Sequence, residues 1–328
     1  MKNPSLNLER RFLAELLPKI TKGKKSHFQV PPGDDAAILK NPQGLVLSID
    51  GITEDVHFKK EWKNTIKGVS LGQGLGWKAM GSALSDLAAM GDVQNRWALI
   101  FFGTPDLSDH KFIWDLQKGI QEKADRHNCL IAGGDTIRSR VLTLAVAVGG
   151  TLRSKRPLTR KGIELGDFLC IAGTVGDAAV GLKLLKKQMS LPAKDAAYFI
   201  KCFFDHRPLL EEGRHLAQVE GVRAVIDLSD SLHESILILL GSKRMGVDID
   251  MERIPTSSVY RKRFKPNSLL LENGEDYAML FVVAPRSVSA LRRKLDFSIL
   301  AQVREGILGP HYYLNEKPFP SPRVFAHF

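Results

Sequence analysis

The chain has 328 residues, 44% hydrophobic and 25% charged, which is the composition of a folded globular protein too long for one ordinary core. No segment approaches the roughly 20 apolar residues of a membrane-spanning helix, and the opening MKNPSLNLERRF lacks the apolar stretch of a secretion signal, so a cytoplasmic protein with no membrane partner is expected. The net charge of +11 raises nucleic acid as a partner. However, the basic residues are dispersed, densest only at Lys22–Lys25 and Arg261–Lys265, and aromatics are not interleaved with them in the repeated way a single-strand binder needs. A surface that attracts anionic small molecules, with no nucleic acid, is the simpler reading.

In chain order, Leu6, Leu8, Phe12, Leu13, Leu16, Leu17 and Ile20 have helical spacing. AAIL and GLVLSID read as strands joined by an Asn41-Pro42-Gln43-Gly44 turn. A helix is expected over 76–91, with Trp77, Met80, Leu84 and Leu87 on one stripe and Gly91 as its stop. Gly72–Lys78 imitates a kinase glycine loop, but the other kinase motifs are absent, and it reads as a flexible lead-in. WALIFF is a strand, 108–127 a helix, and 129–132 and 141–149 strands. After Gly150 the pattern restarts. DFLCIAG is a strand, GTVGD a glycine turn and AAVGLKLLKK a helix, followed by a longer helical stretch to about Gln218. AVIDLSD, SLHESILILLG, LLENGEDYAMLFVVAP, SVSALRRKL and SILAQVREG then read as strand end, helix, turn and strand, helix, and strand. This is a mixed α+β pattern without the alternation of a doubly wound sheet. It divides into an N-terminal domain, 1–152, and a C-terminal domain, 153–328.

The three cysteines, Cys129, Cys170 and Cys202, are scattered, lack metal spacing and read as reduced buried thiols. Acidic residues at the ends of apolar strands are more informative: Asp34-Asp35, Asp50, Asp135 after Gly133-Gly134, Asp227 with Asp230, and Glu275-Asp276. Asp86 interrupts the small-residue helix. Aspartate marks turns for conformational reasons alone, but six such sites together are harder to dismiss, and the several that abut apolar strands need partners. An all-oxygen set points to Mg²⁺, and carboxylate-held Mg²⁺ points to a phosphate substrate. Neither a GxxxxGK[ST] loop nor a GxGxxG fingerprint is present. Gly173–Asp177 could offer backbone N–H groups to an anion.

GDDAAIL, SIDGITEDVHF, GWKAMGSALSDLAAMG, IAGGDTIRS, PLTRKGIELGD, GTVGDAAVGL, IDLSDSL and NGEDYAMLF, in that order from Gly33 to about Phe281, resemble the motif series of the thiamine-monophosphate kinases. Those enzymes share the fold family of aminoimidazole ribonucleotide synthetase. The resemblance implies two α/β domains with the site in a cleft between them, a homodimer formed through the N-terminal sheets, and transfer of the γ-phosphoryl of ATP to thiamine monophosphate. By motif matching, Asp35, Ser48, Asp50, Asp86, Asp135, Asp227 and Asp230 would hold several Mg²⁺ ions, with Asp50, Asp86 and Asp135 as the catalytic core. Gly134, Asp135, Arg160 and Ser229 would touch ATP, and His57 and Glu275 the thiamine substrate. The acceptor is itself a phosphate monoester, mostly a dianion at neutral pH, so no general base is required.

The chain departs from the family pattern at Ser48-Ile49-Asp50-Gly51, at Ser229-Asp230-Ser231, and near the end, where a family Trp that contacts thiamine falls at about Pro322. Phe325 is the expected aromatic substitute, with Phe328, Tyr312 and Tyr313 nearby. The competing readings are a same-fold ATP enzyme with another acceptor and a non-catalytic nucleotide-binding homologue.

Overall fold

The computed structural model describes Pro18 and residues 28–31, 34–40, 44–63, 68–241, 244–272 and 274–322. The expected N-terminal helix lies outside these residues apart from Pro18, and so do the Asn41–Gln43 turn and Phe325 with Phe328. A first sheet contains β1 (Phe28–Val30), β2 (Ala37–Leu39), β3 (Leu45–Thr53), β4 (Val93–Thr104), β5 (Cys129–Arg138) and β6 (Thr143–Leu152). Its spatial order is β1-β2-β3-β6-β4-β5. Neighbours run antiparallel except β4 and β5, which are parallel.

One face of this sheet carries Val46, Ile52, Val146, Val148, Ala98 and Phe102, all buried with the apolar side of α1 (Leu71–Ala89) in one core; Leu116 and Ile120 of α2 (His110–Arg126) join it. Strand alternation sends Ile49, Leu99, Leu130 and Ile137 to the opposite face, where they are 42–69% exposed.

Helix α1 begins five residues before the sequence pattern suggests. Ser70 caps it, its hydroxyl accepting from the Gln73 N–H at 3.2 Å. The glycines read as a flexible lead-in are helical, because α2 crosses them at backbone distance. A Cβ on Gly76 would stand 2.3 Å from the Leu116 carbonyl oxygen, and one on Gly119 would stand 2.1 Å from that of Gln73.

The C-terminal half contains two four-stranded sheets. β7 (Phe168–Ala172), β8 (Val222–Asp227), β10 (Met279–Val283) and β11 (Ser298–Gln302) form an antiparallel sheet in the order β11-β7-β10-β8. β9 (Met245–Asp250), β12 (Arg304–Glu305), β13 (Gly309–Leu314) and β14 (Lys317–Phe319) form the other, in the order β12-β9-β13-β14. The helix expected after the glycine turn is α3 (Asp177–Leu185), and the longer stretch expected beyond it is two helices, α4 (Ala193–Phe204) and α5 (Leu210–Ala217). Pro208 lies in the break between the last two, where it cannot donate to a continuing helix. α6 (Leu232–Leu240) follows β8, capped by the Ser231 hydroxyl. β4, α2 and β5 form a parallel βαβ unit, but the described sheets are mostly antiparallel and lack the regular alternation of a doubly wound fold.

Candidate active site

The site forms where α1 meets the C-terminal half. Ser48 and Asp50 share the buried face of β3, Asp86 projects from α1, and Asp227 ends β8. Oxygens of Asp35, Asp86 and Asp227 lie within 4.8 Å of one another. The Ser48 hydroxyl is 2.6 Å from Asp86 Oδ2 and 3.1 Å from the Asp35 carbonyl. Arg160 forks onto Asp35, with Nη2 and Nε at 2.8 and 3.1 Å from its two oxygens. The Arg160 backbone N–H donates to Asp34 at 3.1 Å.

Burial, then repulsion from Asp227, Asp50 and Asp35, raises the Asp86 carboxyl well above its ordinary pKa. Burial and then Asp35 do the same to Asp227. Asp50 is pushed up to about 6, first by burial, and Asp34 to about 6 by burial and Asp35. One buried oxygen of Asp227, Oδ2, has no hydrogen-bond partner among the described residues. Three converging carboxylates with an orphaned oxygen fit a hard divalent cation held by oxygen ligands.

An adjoining cleft is lined by His57, Phe203, Ser229, Asp230, Glu234, Glu272 and Glu275 among others. His57 sits in the turn after β3, its Nδ1 accepting from the Thr53 N–H at 3.0 Å, so the neutral ring carries its proton on Nε2. Glu275 takes a left-handed backbone, φ 69°. Its N–H donates to the Ser229 carbonyl at 2.9 Å, and its carboxylate pairs with Lys78 at 2.8 Å. Asp50 feels the charges of Lys78, Glu275 and Asp230, so it links the cluster to the cleft.

Asp35, Ser48, Asp86, Asp227 and Arg160 are thus gathered at one point, with Asp50, Ser229, Asp230, His57 and Glu275 beside it. Gly134 and Asp135 are elsewhere. Asp50, Val146, Ile100 and Gly134 form one row across the sheet, which puts Gly134 on the far edge strand, three strand spacings or about 14 Å away. Asp135 is exposed and aligns with Gly51, Ala145 and Phe101, on the outer face. Of the other aromatics considered for the acceptor, Tyr312 is buried, its hydroxyl 2.9 Å from His233 Nδ1. Sequence reasoning named Asp34 only beside Asp35, and it gave no role to Lys78, Ser82, Ser85 or Tyr277. The one available signal was a Lys and two Ser at helical spacing inside a small-residue helix.

Residues 33–152 match the family model described as AIR synthase related protein, N-terminal domain. The thiamine-monophosphate kinase of Escherichia coli strain K12 is 31% identical over 297 residues, covering 87% of each chain. That of Buchnera aphidicola subsp. Acyrthosiphon pisum is 30% identical over 266 residues, covering 79% of this chain and 78% of that one. This chain belongs to the thiamine-monophosphate kinase family. Among solved structures, AaThiL complexed with AMPPCP and TMP superposes with a TM-score of 0.78 at 24% identity, covering 97% of this chain and 98% of that one, so the fold is shared throughout. Members of this kinase family are phosphotransferases, and this one has the mixed α/β fold of the aminoimidazole ribonucleotide synthetase group.

Proposed function

We propose that the protein transfers the γ-phosphoryl of ATP to thiamine monophosphate, giving thiamine diphosphate and ADP, with Mg²⁺ as cofactor and in the cytoplasm. The reading is carried by the Asp35–Asp86–Asp227 cluster opening onto the cleft of His57, Asp230 and Glu275, in a chain of this family. Two anionic phosphates must approach each other, and their repulsion is the main barrier. Bound magnesium would neutralise that charge and align the attacking and leaving oxygens. Asp35, Ser48, Asp50, Asp86, Asp227 and Asp230 are the residues to hold it.

Arg160 is placed to fork onto a nucleotide phosphate as it forks onto Asp35. Ser229 lines the cleft beside Asp227 and would meet the same nucleotide. An acceptor phosphate oxygen attacks the γ-phosphorus as the bond to the β–γ bridging oxygen breaks. The acceptor is already mostly dianionic at neutral pH, so His57 binds and orients rather than removing a proton. Thiamine carries a cationic thiazolium, and the cleft's Asp230, Glu234, Glu272 and Glu275 suit a cation.

The exposed apolar face of the first sheet fits a second copy of the chain, giving a homodimer. Gly134 and Asp135 sit on the edge strand bordering that face, and we assign their nucleotide and metal contacts to the partner's site. The halves 1–152 and 153–328 are read as two domains closing on the cleft. The deciding experiment is transfer from ATP to thiamine monophosphate, with thiamine as control acceptor. Clear nucleotide binding without transfer to the monophosphate would point to a different acceptor.

A further inference from the structure

We propose that Lys78 is a positioning residue for the acceptor, acting through Glu275. This rests on the reading of Glu275 as an acceptor contact.

Lys78 lies in the middle of α1, and its side chain is 0% exposed. An ammonium is not left in such a place without partners. Its partners are Glu275 Oε2 at 2.8 Å, the Phe203 carbonyl at 3.3 Å, and the Phe203 ring with its centroid at 3.8 Å. Glu275 is different: its side chain is 25% exposed and lines the cleft. One end of the ion pair is therefore fixed in the core, and the other is presented to whatever enters the cleft.

The loop carrying Glu275 is clamped from behind. A Cβ on Gly274 would stand 2.1 Å from the Ser229 carbonyl oxygen, so that loop and the 228–230 segment touch backbone to backbone. Glu275 and Tyr277 both hold positive φ, at 69° and 50°, a conformation that persists only when its surroundings enforce it. α1 supplies part of that enforcement. Lys78, Ser82 and Ser85 recur at i, i+4 and i+7 on one helix face. Ser82 is 2.6 Å from the Tyr277 hydroxyl, and the Ser85 hydroxyl favours the ionised form of Asp227. The next residue, Asp86, belongs to the aspartate cluster.

One rigid helix thus carries the Glu275 anchor at Lys78 and the metal-site carboxylate at Asp86, about 12 Å apart along its axis. That spacing sets the acceptor's position relative to the phosphoryl group it receives. Without the ammonium, Glu275, already 25% exposed, can turn into solvent.

The test uses the full chain with Lys78→Met, Glu275→Gln and the double variant. It reads the acceptor KM, kcat and the affinity for a non-hydrolysable ATP analogue. Lys78→Met is expected to raise the acceptor KM by about tenfold or more, the loss of one charge-assisted hydrogen bond, while nucleotide affinity stays near that of the parent. In the Glu275→Gln background, adding Lys78→Met should change the acceptor KM little further. If Lys78→Met loses acceptor and nucleotide affinity alike, or acts equally in both backgrounds, Lys78 is only a structural residue and the proposal is overturned. If Lys78→Met does not fold, Lys78→Gln decides, because it keeps an N–H donor in similar space. It should raise the acceptor KM several-fold, and an unchanged value rejects the proposal. Glu275→Gln alone leaving the acceptor KM unaltered would instead reject the underlying role of Glu275.

Discussion

Asp86→Asn should make the metal-free protein more stable and the enzyme inactive. Asp86 packs against Asp35 and Asp227 with oxygens within 4.8 Å. At that distance each ionised pair repels by about 3.5 kcal/mol if the effective dielectric constant is near 20. The raised carboxyl pKa values mean that proton uptake already relieves much of this at neutral pH, so the surviving gain is on the order of 1–3 kcal/mol. Asparagine keeps the shape and an oxygen for the Ser48 hydroxyl, now 2.6 Å from the carboxylate. It also turns an N–H donor toward the remaining acids. The assay is thermal unfolding of both proteins near pH 7.5, in chelator and in millimolar Mg²⁺, with phosphoryl transfer measured alongside. The variant should melt higher than the parent in chelator, gain less from Mg²⁺, and show no appreciable turnover. A variant that melts lower in chelator, or that keeps the parent's Mg²⁺ response and activity, would refute the reading of this cluster as a strained, cation-requiring site.

His57→Ala should raise the acceptor KM more than it lowers kcat, since a binding residue acts before the chemical step; a large kcat loss rescued by added imidazole would make it a base. Mixing inactive Asp135→Asn with inactive Asp86→Asn should restore about a quarter of the parent activity if Asp135 works in the partner's site, because half the random dimers hold one intact site. No recovery in verified mixed dimers would return Asp135 to its own protomer. With Asp34 and Asp50 raised to about 6 and Asp276 to about 7, each first by burial, the fold holds protons that the unfolded chain has released. These carboxyls, with Asp86 and Asp227, should outweigh the opposite contribution of His127, His206 and His233, whose burial lowers their pKa, so metal-free stability should fall as pH rises from about 4 through about 7, and the stabilisation by Mg²⁺ should grow over the same interval. Urea unfolding with and without Mg²⁺ checks both trends, and a metal-free stability that rises over that interval contradicts the shifts.

The clustered carboxylates Asp86 and Asp227 stand out in the sequence because each interrupts a run that is otherwise buried. Asp227 closes a strand buried at nearly every position, and Asp86 breaks a helix of small side chains. A charge in such a place has few explanations, and position along the chain is enough to find it. The start of α1 could not be read that way. Its glycines signal flexibility in isolation, and only the crossing of α2 at backbone distance makes them helical. Lys78 was hidden for a related reason. One lysine on a helix reads as solvent-facing, and the sequence does not show that Phe203 and Glu275, from distant segments, close over it.

Asp135 shows a different limit. The GGD motif places it among the metal aspartates by order, yet neither strand order nor face is written in a motif. In space β6 and β4 stand between β3 and β5, and pleating turns Asp135 to the side opposite Asp50. That outer side carries Ile49, Leu99, Leu130 and Ile137 exposed. A face of this kind is stable in water when a second surface covers it. In the proposed homodimer, packing sheet against sheet would cover these apolar residues and would also bring Gly134 and Asp135 toward the neighbouring site. Assembly and catalysis would then be coupled, and a charge introduced at Leu130 or Ile49 should abolish transfer without touching any residue of the cleft.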